Sequence, residues 1–491
     1  MPRKRCDILL YEKGQYSTCL SPRHYRPRGV YYGEEWEHGY FVENQGKRIG
    51  LSEEVENLNI TIKERGELDI GVEQIHSDLF KILTPHFYRV IAKAINNPGV
   101  FVGEHKKRAI KERNTDIMII GCGASSIGLI SKLIGKREVI AICNEIGGRL
   151  GRRMRQIHGI DIRKFEEVMI RGKYLGLFEE GYLIETSDEF QVIRPKITVF
   201  ANGGRYLPPL IRNNDLPGFL SGDYFEKLLD TGFKVKNVAF IDESGVSKDI
   251  KFLYDKSTAQ GIEVTVFSRE KIKGLNCVRI KDTYSLVGRW RVEGVQANGE
   301  YYKADIAVFL GKRYPSIEVP VNAGLEFDFV SDFVIPKHSI TGKIGNNYVI
   351  GNVRGIEEIN TSFMSGVIAG MEIMGEKVEE SKEFEVFINS LKSEESDLYN
   401  YYEGKKGEIK KSFIIDDNSY ICPCEDIKLK DLKGDYTSTE EVKRITGLGS
   451  GICQGKICII SLSRILRNKG IENPGLMTFR SPIYPTSFMV D

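Results

Sequence analysis

Four cysteines near the end of the chain carry its most specific chemistry: Cys422-Pro-Cys424-Glu425, then Cys453-Gln-Gly-Lys-Ile-Cys458. Four thiolates in two close pairs make a soft, tetrahedral ligand set suited to zinc or to a [2Fe–2S] cluster. Structural zinc sites usually space each pair as C-x2-C around one turn. A C-x-C followed by a C-x4-C therefore fits the iron–sulfur cluster better, with zinc as the alternative. Gly447, Gly449 and Gly451 crowd the approach to Cys453 and offer backbone amides to cluster sulfurs. The apolar spacing after Cys458 predicts a helix with its positive end toward the cysteines. Ser438-Thr-Glu-Glu441 reads as the capping box of a short preceding helix. The other cysteines, Cys6, Cys19, Cys122, Cys143 and Cys277, are scattered, and that asymmetry argues for a metal site rather than a disulfide scaffold.

A second constellation lies between residues 116 and 148. Asp116–Ile120 is a short apolar run that reads as a buried strand, and it stops at Gly121-Cys122-Gly123-Ala124-Ser125-Ser126. A helical pattern follows through Leu129, Ile130, Leu133 and Ile134, and a second strand, Glu138–Cys143, ends at Asn144-Glu145. This is the order of a βαβ dinucleotide-binding unit. Gly121 permits the tight turn, Gly123 lets the backbone approach a pyrophosphate, and the amides of Ala124, Ser125 and Ser126 open a helix toward the negative charge. Glu145 stands where an acid accepts the ribose hydroxyls of an adenosine, the arrangement of FAD or NAD rather than NADP. Ser126 replaces the usual third glycine, and its small side chain should still fit. Gly148 follows the second strand, and Arg149, Arg152 and Arg153 after it are candidates either to touch phosphate or to lie in solvent.

The elements that must position these residues follow from composition. At 491 residues the chain should hold two to four domains. Lys plus Arg is 70 against 68 for Asp plus Glu, so a net charge of +2 creates no field that recruits nucleic acid. No apolar run approaches a transmembrane segment, and the basic start is too short in apolar residues for a signal peptide, so the expectation is a cytoplasmic protein. Short strands over 175–198 with a Glu179-Glu180-Gly181 turn, the strand Ile197–Ala201, and the runs 305–312 and 347–352 all read as returning to the first nucleotide fold. A second βαβ runs from Val238–Ile241 to Val264–Phe267, but its turn is Asp242-Glu243-Ser244-Gly245-Val246-Ser247. Carboxylates there repel a pyrophosphate, so this site reads as dead or much altered. The helix 362–374 reads as packing, and the charge-rich 375–411 as a helical, solvated connector. No catalytic residue stands out: no Ser/His/Asp set, carboxylate pair or isolated base is visible. Ser21–Gly33 presents Arg23, Arg26 and Arg28 among prolines and tyrosines, which suits either an anion or partner clamp at a subunit interface or a solvated loop.

CPCE at 422–425, TEEVKRITGLGSGICQGKIC at 439–458 and FRSPIYP at 479–485 resemble the [2Fe–2S] domain of bacterioferritin-associated ferredoxin, as it ends the α subunits of dye-linked L-proline dehydrogenases, opine oxidases and hydrogen cyanide synthases. RPRG at 26–29, PHFY at 85–88, GCGASS at 121–126, FANGG at 200–204 and NYVIGN at 347–352 keep the order seen there and in heterotetrameric sarcosine oxidase α. The resemblance implies an α/β flavoprotein with two dinucleotide-binding domains of the FAD/NAD(P)-binding, Rossmann-like kind and a small α-rich C-terminal [2Fe–2S] domain. It lays the chain out as a degenerate ferredoxin-like segment 1–110, a nucleotide-binding domain over 111–210 and 305–375, a degenerate second dinucleotide domain 211–304, a connector 376–411 and the cluster domain 412–491.

It further implies FAD, or ATP or another adenine nucleotide in the same site, a [2Fe–2S] cluster on Cys422, Cys424, Cys453 and Cys458, and room for an FMN at the interface with a partner. The partner is a flavin-containing β subunit that oxidises an amine or imino acid, with small ferredoxin-like subunits as further candidates. Several positions depart from the family. Its histidine before RPRG falls at Tyr25, with His24 shifted one place; Ala201-Asn202-Gly203 replaces Ala-Thr-Gly; and the Gly-Asp near the flavin ribityl chain is Gly351-Asn352. The competing readings are a stand-alone NAD(P)H-dependent flavin reductase, against which stands the lack of a C-x4-C after Gly147-Gly148, and a non-catalytic nucleotide-binding scaffold.

Overall fold

In the computed structural model the described residues run from Ala109 to Tyr484, apart from 144, 155, 217, 231–234, 244–246, 282, 289–291, 395–396, 405–415, 426, 451–452 and 480; before them only five short strands between Asp7 and Phe101 are described. The arginine loop at 21–33 and the aromatic stretch at 77–95 lie outside the described residues. Packing separates two units, one made of 106–205, 313–411 and 463–491, the other of 1–105, 206–312 and 412–462.

The first unit begins with β1 (Ala109–Ile120), α1 (Ala124–Leu133), β2 (Val139–Cys143) and the short helix α2 (Gly148–Arg153). Ile117–Ile120 and all five residues of β2 are buried, without the alternation of a half-exposed strand. A parallel strand covered on both faces reads this way. After it come β3 (Met169–Arg171), β4 (Lys173–Phe178), β5 (Gly181–Glu185) and β6 (Glu189–Phe200). The sheet order is β3-β2-β1-β6-β5-β4. β3, β2, β1 and β6 are parallel, and the hairpin about Glu179-Glu180 is antiparallel.

The inserted unit carries β7 (Phe219–Ser221), α3 (Gly222–Asp230), β8 (Asn237–Ile241), α4 (Ile250–Ala259), β9 (Glu263–Ser268) and β10 (Cys277–Arg279). Its last strand is β11 (Ile306–Phe309), and the sheet is wholly parallel in the order β7-β11-β8-β9-β10. This corrects the assignment of 305–312 to the first nucleotide fold. Val238–Ile241 pairs with Ile306–Phe309, so the run closes the second sheet.

The first unit resumes with β12 (Asn347–Val349), which pairs parallel to β6 through Phe200 and Val349. A 3-10 turn, Gly351–Arg354, and the long helix α5 (Ile359–Ile373) follow. α1 and α5 lie backbone to backbone. A Cβ on Gly366 would stand 1.8 Å from the Ser125 carbonyl oxygen, and one on Gly128 would stand 2.1 Å from that of Phe363. The glycines of α5 are thus a packing surface, as expected. The solvated connector is corrected: α6 (Lys382–Ser393) is capped by Ser381, which accepts the Phe384 amide at 3.2 Å, and it buries Phe387 and Leu391 completely. Their four-residue spacing puts both on one helix face while the charges occupy the other.

By packing, residues 412–462 belong with the inserted unit and 463–491 with the first, so 412–491 is not set apart as a compact unit of its own. The segment holds β13 (Tyr420–Cys422), the helix α7 (Thr439–Thr446) and the helix α8 (Cys458–Asn468). Cys453 and Ile457 join the buried core of the inserted unit, with Phe240, Val266 and Phe309.

Gly366→Ala should lower the unfolding free energy by about 3 kcal/mol, because its methyl group meets a carbonyl that cannot retreat without moving α1. Urea unfolding at neutral pH reads this directly, and a midpoint equal to wild type would contradict the packing.

Candidate functional site

The end of β1 builds a turn that only glycine tolerates. Gly121 has φ +116°, and a Cβ there would lie 2.2 Å from the Ala201 carbonyl oxygen at the end of β6. Gly121 also donates to the Ile142 oxygen of β2 at 2.7 Å, so the turn is pinned between two strand ends. Gly123, the N-cap of α1, differs in kind: a Cβ would meet nothing within 4 Å, and no side chain caps the helix. The first amides of a ten-residue helix therefore open onto a space that a side chain would fill, as an anion cradle requires.

Ala124, Ser125 and Ser126 form the first buried turn of α1. The Ser126 hydroxyl donates to the Gly121 carbonyl at 2.8 Å, so the residue in place of the third glycine ties helix to turn. Gly351 approaches from the return strand, where a Cβ would lie 2.5 Å from Ser125 Oγ, and its amide donates to Ser365 Oγ at 2.9 Å. Gly148 lies beside Gly123, its added Cβ 3.9 Å from the Gly123 Cα. Asn352 borders Gly204, where a Cβ would stand 3.2 Å from Asn352 Cβ. The turn, the Gly147-Gly148 corner, the Asn202–Gly204 loop and the Gly351–Asn352 turn thus frame one locus.

Two candidate residues have protein partners. Glu145 accepts from Arg152 Nη1 at 2.6 Å, and both side chains are largely buried. Arg149 donates to the Glu357 carbonyl at 2.5 Å. Arg152 holds the Glu145 carboxylate through one oxygen, Oε2. In the neighbouring loop Asn202 donates to the Ser316 carbonyl at 2.5 Å, while its buried Oδ1 has no protein partner among the described residues. Arg205 and Glu318 form a buried ion pair at 2.5 Å beneath it. This donor and acceptor set fits an adenine dinucleotide, with amides for the pyrophosphate, an acid for the ribose and an orphaned amide oxygen for a polar group.

Behind the Gly351–Arg354 turn is a polar knot that sequence reasoning missed. Arg354 is fully buried, and its Nε donates to His338 Nε2 at 2.8 Å while Nη2 donates to the Ile340 carbonyl at 2.7 Å. Part of His338 reaches the surface, but both ring nitrogens turn inward, Nε2 to Arg354 and Nδ1 to the Pro336 carbonyl. Burial, then the Arg354 charge, pushes the imidazole well below its ordinary range, so it stays neutral and accepts. No spacing in the sequence signals a knot whose partners come from a loop and a turn.

In the inserted unit the two carboxylates that follow β8 are held by protein groups. The fully buried Asp242 carboxylate accepts the Ser247 amide at 2.9 Å, and Glu243 accepts the Tyr284 hydroxyl at 2.6 Å. Burial and the Glu243 charge raise the Tyr284 phenol far above its ordinary value. A carboxylate thus takes an amide of the turn that would face a phosphate.

Three of the cluster cysteines meet in the same unit. Cys422 ends β13, Cys458 starts α8, and Cys453 lies on the turn between helices; all three are about fully buried, at 1% exposure. The Cys458 thiol, donating toward the Cys422 and Cys453 sulfurs, is pushed well above its ordinary value, and burial adds to this. Cys424 lies on the 3-10 turn Pro423–Glu425, and its side chain is outside the described residues. Among the described residues no three His, Cys, Asp or Glu side chains stand ready as a metal cage. The donor chemistry, three converging thiols with a fourth cysteine two residues from the first, fits a thiophilic metal or cluster. Asn214, another residue the sequence did not reveal, anchors this region: its buried amide donates to the Tyr420 carbonyl at 3.0 Å and accepts the Tyr420 amide at 2.8 Å. Ser438 caps α7 as expected, accepting the Glu441 amide at 3.2 Å, but the Glu441 carboxylate turns to the Thr437 amide instead of closing the box.

Comparison with known proteins adds to this geometry. Residues 416–490 match the sarcosine oxidase A3 domain. The fold is similar to that of L-proline dehydrogenase from P. horikoshii, with a TM-score of 0.62 at 22% identity over 79% of this chain and 81% of that one. The first match covers the C-terminal segment, and the second, at 22% identity, is a likeness of fold. A CoA-dependent NAD(P)H sulfur oxidoreductase of Pyrococcus furiosus is 26% identical over 262 residues, or 45% of this chain; the match spans 56% of that protein's length. T. acidophilum thioredoxin reductase overlaps more loosely, with a TM-score of 0.39 at 14% identity over 54% of this chain. The fold is α/β, with parallel sheets and a small helical C-terminal region. No helix among the described residues is long and apolar enough to cross a membrane.

Gly123→Asp should abolish retention of an adenine nucleotide, since its side chain and charge enter the open space before α1. Nucleotide released from the purified variant on denaturation, at the wild-type amount, would place the site elsewhere. The neutral His338 makes a separate pH prediction. Its folded value is depressed, so below about 6.5 the unfolded chain binds the extra proton and stability falls with pH, by at most about 1.4 kcal/mol per unit. Denaturation midpoints between pH 7 and 5 should drop in wild type and drop less in His338→Gln; parallel profiles would contradict the assignment.

Proposed function

We propose that the chain is the nucleotide-binding, electron-transfer α subunit of a multi-subunit dehydrogenase or oxidase acting on secondary amines or amino acids such as proline, opines or sarcosine. What supports this reading is the burial of Cys422, Cys453 and Cys458 in one unit, inside a segment that matches the sarcosine oxidase A3 domain. Substrate is oxidised at a flavin on a partner β subunit, in a cytoplasmic setting, and small ferredoxin-like subunits are further candidate partners. The Arg23–Arg28 loop, outside the described residues, would face that partner and an FMN between the subunits.

A bound FAD would supply two-electron redox chemistry, and a [2Fe–2S] cluster would pass single electrons on. In the first unit Gly121, Gly123 and the amides of Ala124, Ser125 and Ser126 would hold the pyrophosphate. Glu145 would accept the ribose hydroxyls, Gly148 would give the pyrophosphate room, and Arg149 would close that corner. Asn352 would face the ribityl chain where the family's aspartate stands, and its neutral amide can donate as well as accept. The same cradle would serve ATP, which has no ribityl chain to meet Asn352. Cys422, Cys424, Cys453 and Cys458 would hold the cluster, away from water, with the α8 N-terminus offering its positive end.

The match to an NAD(P)H sulfur oxidoreductase favours a second reading, a self-contained NAD(P)H-dependent flavin reductase. Against it, Asp242 fills the second turn, and no C-x4-C follows Gly147-Gly148.

Purified anaerobically, the chain should contain iron and acid-labile sulfide in equal amounts, and Cys453→Ser should lose both. Zinc without sulfide would overturn the cluster. The isolated chain should fail to oxidise amino acids or NADH with an artificial acceptor, and steady turnover by it alone would favour the reductase.

A further inference from the structure

Two cysteines outside the cluster lie inside the nucleotide locus. Cys122 is the residue between Gly121 and Gly123, and Cys143 is the last residue of β2, two places before Glu145. The structure joins them as a disulfide with a Cα–Cα separation of 5.5 Å, in the middle of the range such bonds require. This corrects the reading of both as scattered thiols. The parallel register explains the pairing: Ile120 lies beside Ile142, which brings Cys143 at the end of β2 next to the turn that follows β1, so Cys122 and Cys143 are neighbours although 21 positions apart in sequence. Both are buried, Cys122 at 3% exposure and Cys143 at 7%.

The bond therefore ties the pyrophosphate turn to the strand that delivers the ribose acid. The surroundings have little slack. Gly121 is hydrogen-bonded to the Ile142 oxygen at 2.7 Å, the Cys143 oxygen accepts the Gly172 amide at 2.9 Å, and Gly121 is pressed against Ala201. Two separate thiols cannot remain at bonding distance, so reduction forces the sulfurs apart in a close-packed place. The displacement must fall on the Gly121–Gly123 turn or on the link to Glu145, the two parts that would grip the nucleotide.

We propose that Cys122–Cys143 is a redox lock on this site: the disulfide form is pre-organised for an adenine nucleotide, and the dithiol form holds it less tightly. This rests on the reading of the turn as a nucleotide site. The lock is set by a low-molecular-weight disulfide through thiol–disulfide exchange. One cysteine thiolate attacks the oxidant's sulfur and expels one thiol; the second cysteine then displaces the other. Two electrons pass to the oxidant, which leaves as two thiols, and the chain gives up two protons.

The test uses the full chain stripped of nucleotide, with peptide mapping to score the bond. Binding of FAD and of ATP is titrated after treatment with oxidised glutathione and after reduction by a phosphine, for wild type, Cys143→Ser and Cys122→Ser. The proposal expects a mapped Cys122–Cys143 peptide in the oxidised sample and about tenfold weaker binding on reduction of wild type. Both variants should bind at the weaker level, indifferent to the reductant. Wild-type reduction is itself a test if either variant fails to fold. Equal binding in both redox states overturns the lock and leaves the nucleotide reading intact. Two free thiols after oxidation also overturn it. Absence of binding by every form, with the bond mapped, defeats the nucleotide reading and the lock together.

Discussion

At Gly121, Gly128, Gly351 and Gly366 the main chain lies against other groups with no room for a Cβ, and the nucleotide locus depends on those contacts. Gly366 and Gly128 let α5 and α1 touch along their backbones. That contact fixes the direction in which the first amides of α1 point. Gly351 brings the return turn against Ser125 of the same helix, and Gly121 brings the β1 turn against the end of β6. The empty space beside Gly123 exists because everything around it is held by these approaches. Glycine weakens helices and strands through lost entropy, so its repeated use here is a local cost offset by close packing.

The polar groups extend the same logic to the site's rim. A buried arginine needs several acceptors, and Arg354 finds them in His338 and the Ile340 carbonyl. It thereby fixes the turn that begins with Gly351-Asn352. Asn214 does the corresponding work in the other unit, replacing a missing strand partner for Tyr420 and holding Cys422 inside the core. Asp242 shows the opposite outcome, an anion built into the chain where a ligand's anion would otherwise lie.

Much of this was legible before the structure. The order strand, glycine turn, helix, strand at 116–143 announces itself because a buried parallel strand is a continuous apolar run and its turn must contain glycine. The antiparallel hairpin at Glu179-Glu180 and the parallel return of Asn347–Val349 follow the same local rules. What was not legible is which sheet a short apolar strand joins. Ile306–Phe309 and Asn347–Val349 look alike in sequence, and only pairing with Val238–Ile241 sends the first to the inserted sheet. Phe387 and Leu391 were hidden among charges, because two anchors suffice to dock α6. The Cys122–Cys143 pairing was invisible for a related reason: cysteine spacing says nothing about register, which alone makes them neighbours. His338 and Arg354 meet through tertiary structure only.

The proposed function joins, in one chain, an α/β fold with a nucleotide cradle to an iron–sulfur centre that would move electrons between partners. Electron paramagnetic resonance of the anaerobically purified chain, before and after reduction with dithionite, tests it most directly. The account predicts a silent oxidised sample and, on reduction, the signal of a reduced [2Fe–2S] cluster that disappears in Cys422→Ser. A reduced chain that remains silent, with its cysteines accounted for as free thiols or zinc ligands, would contradict it.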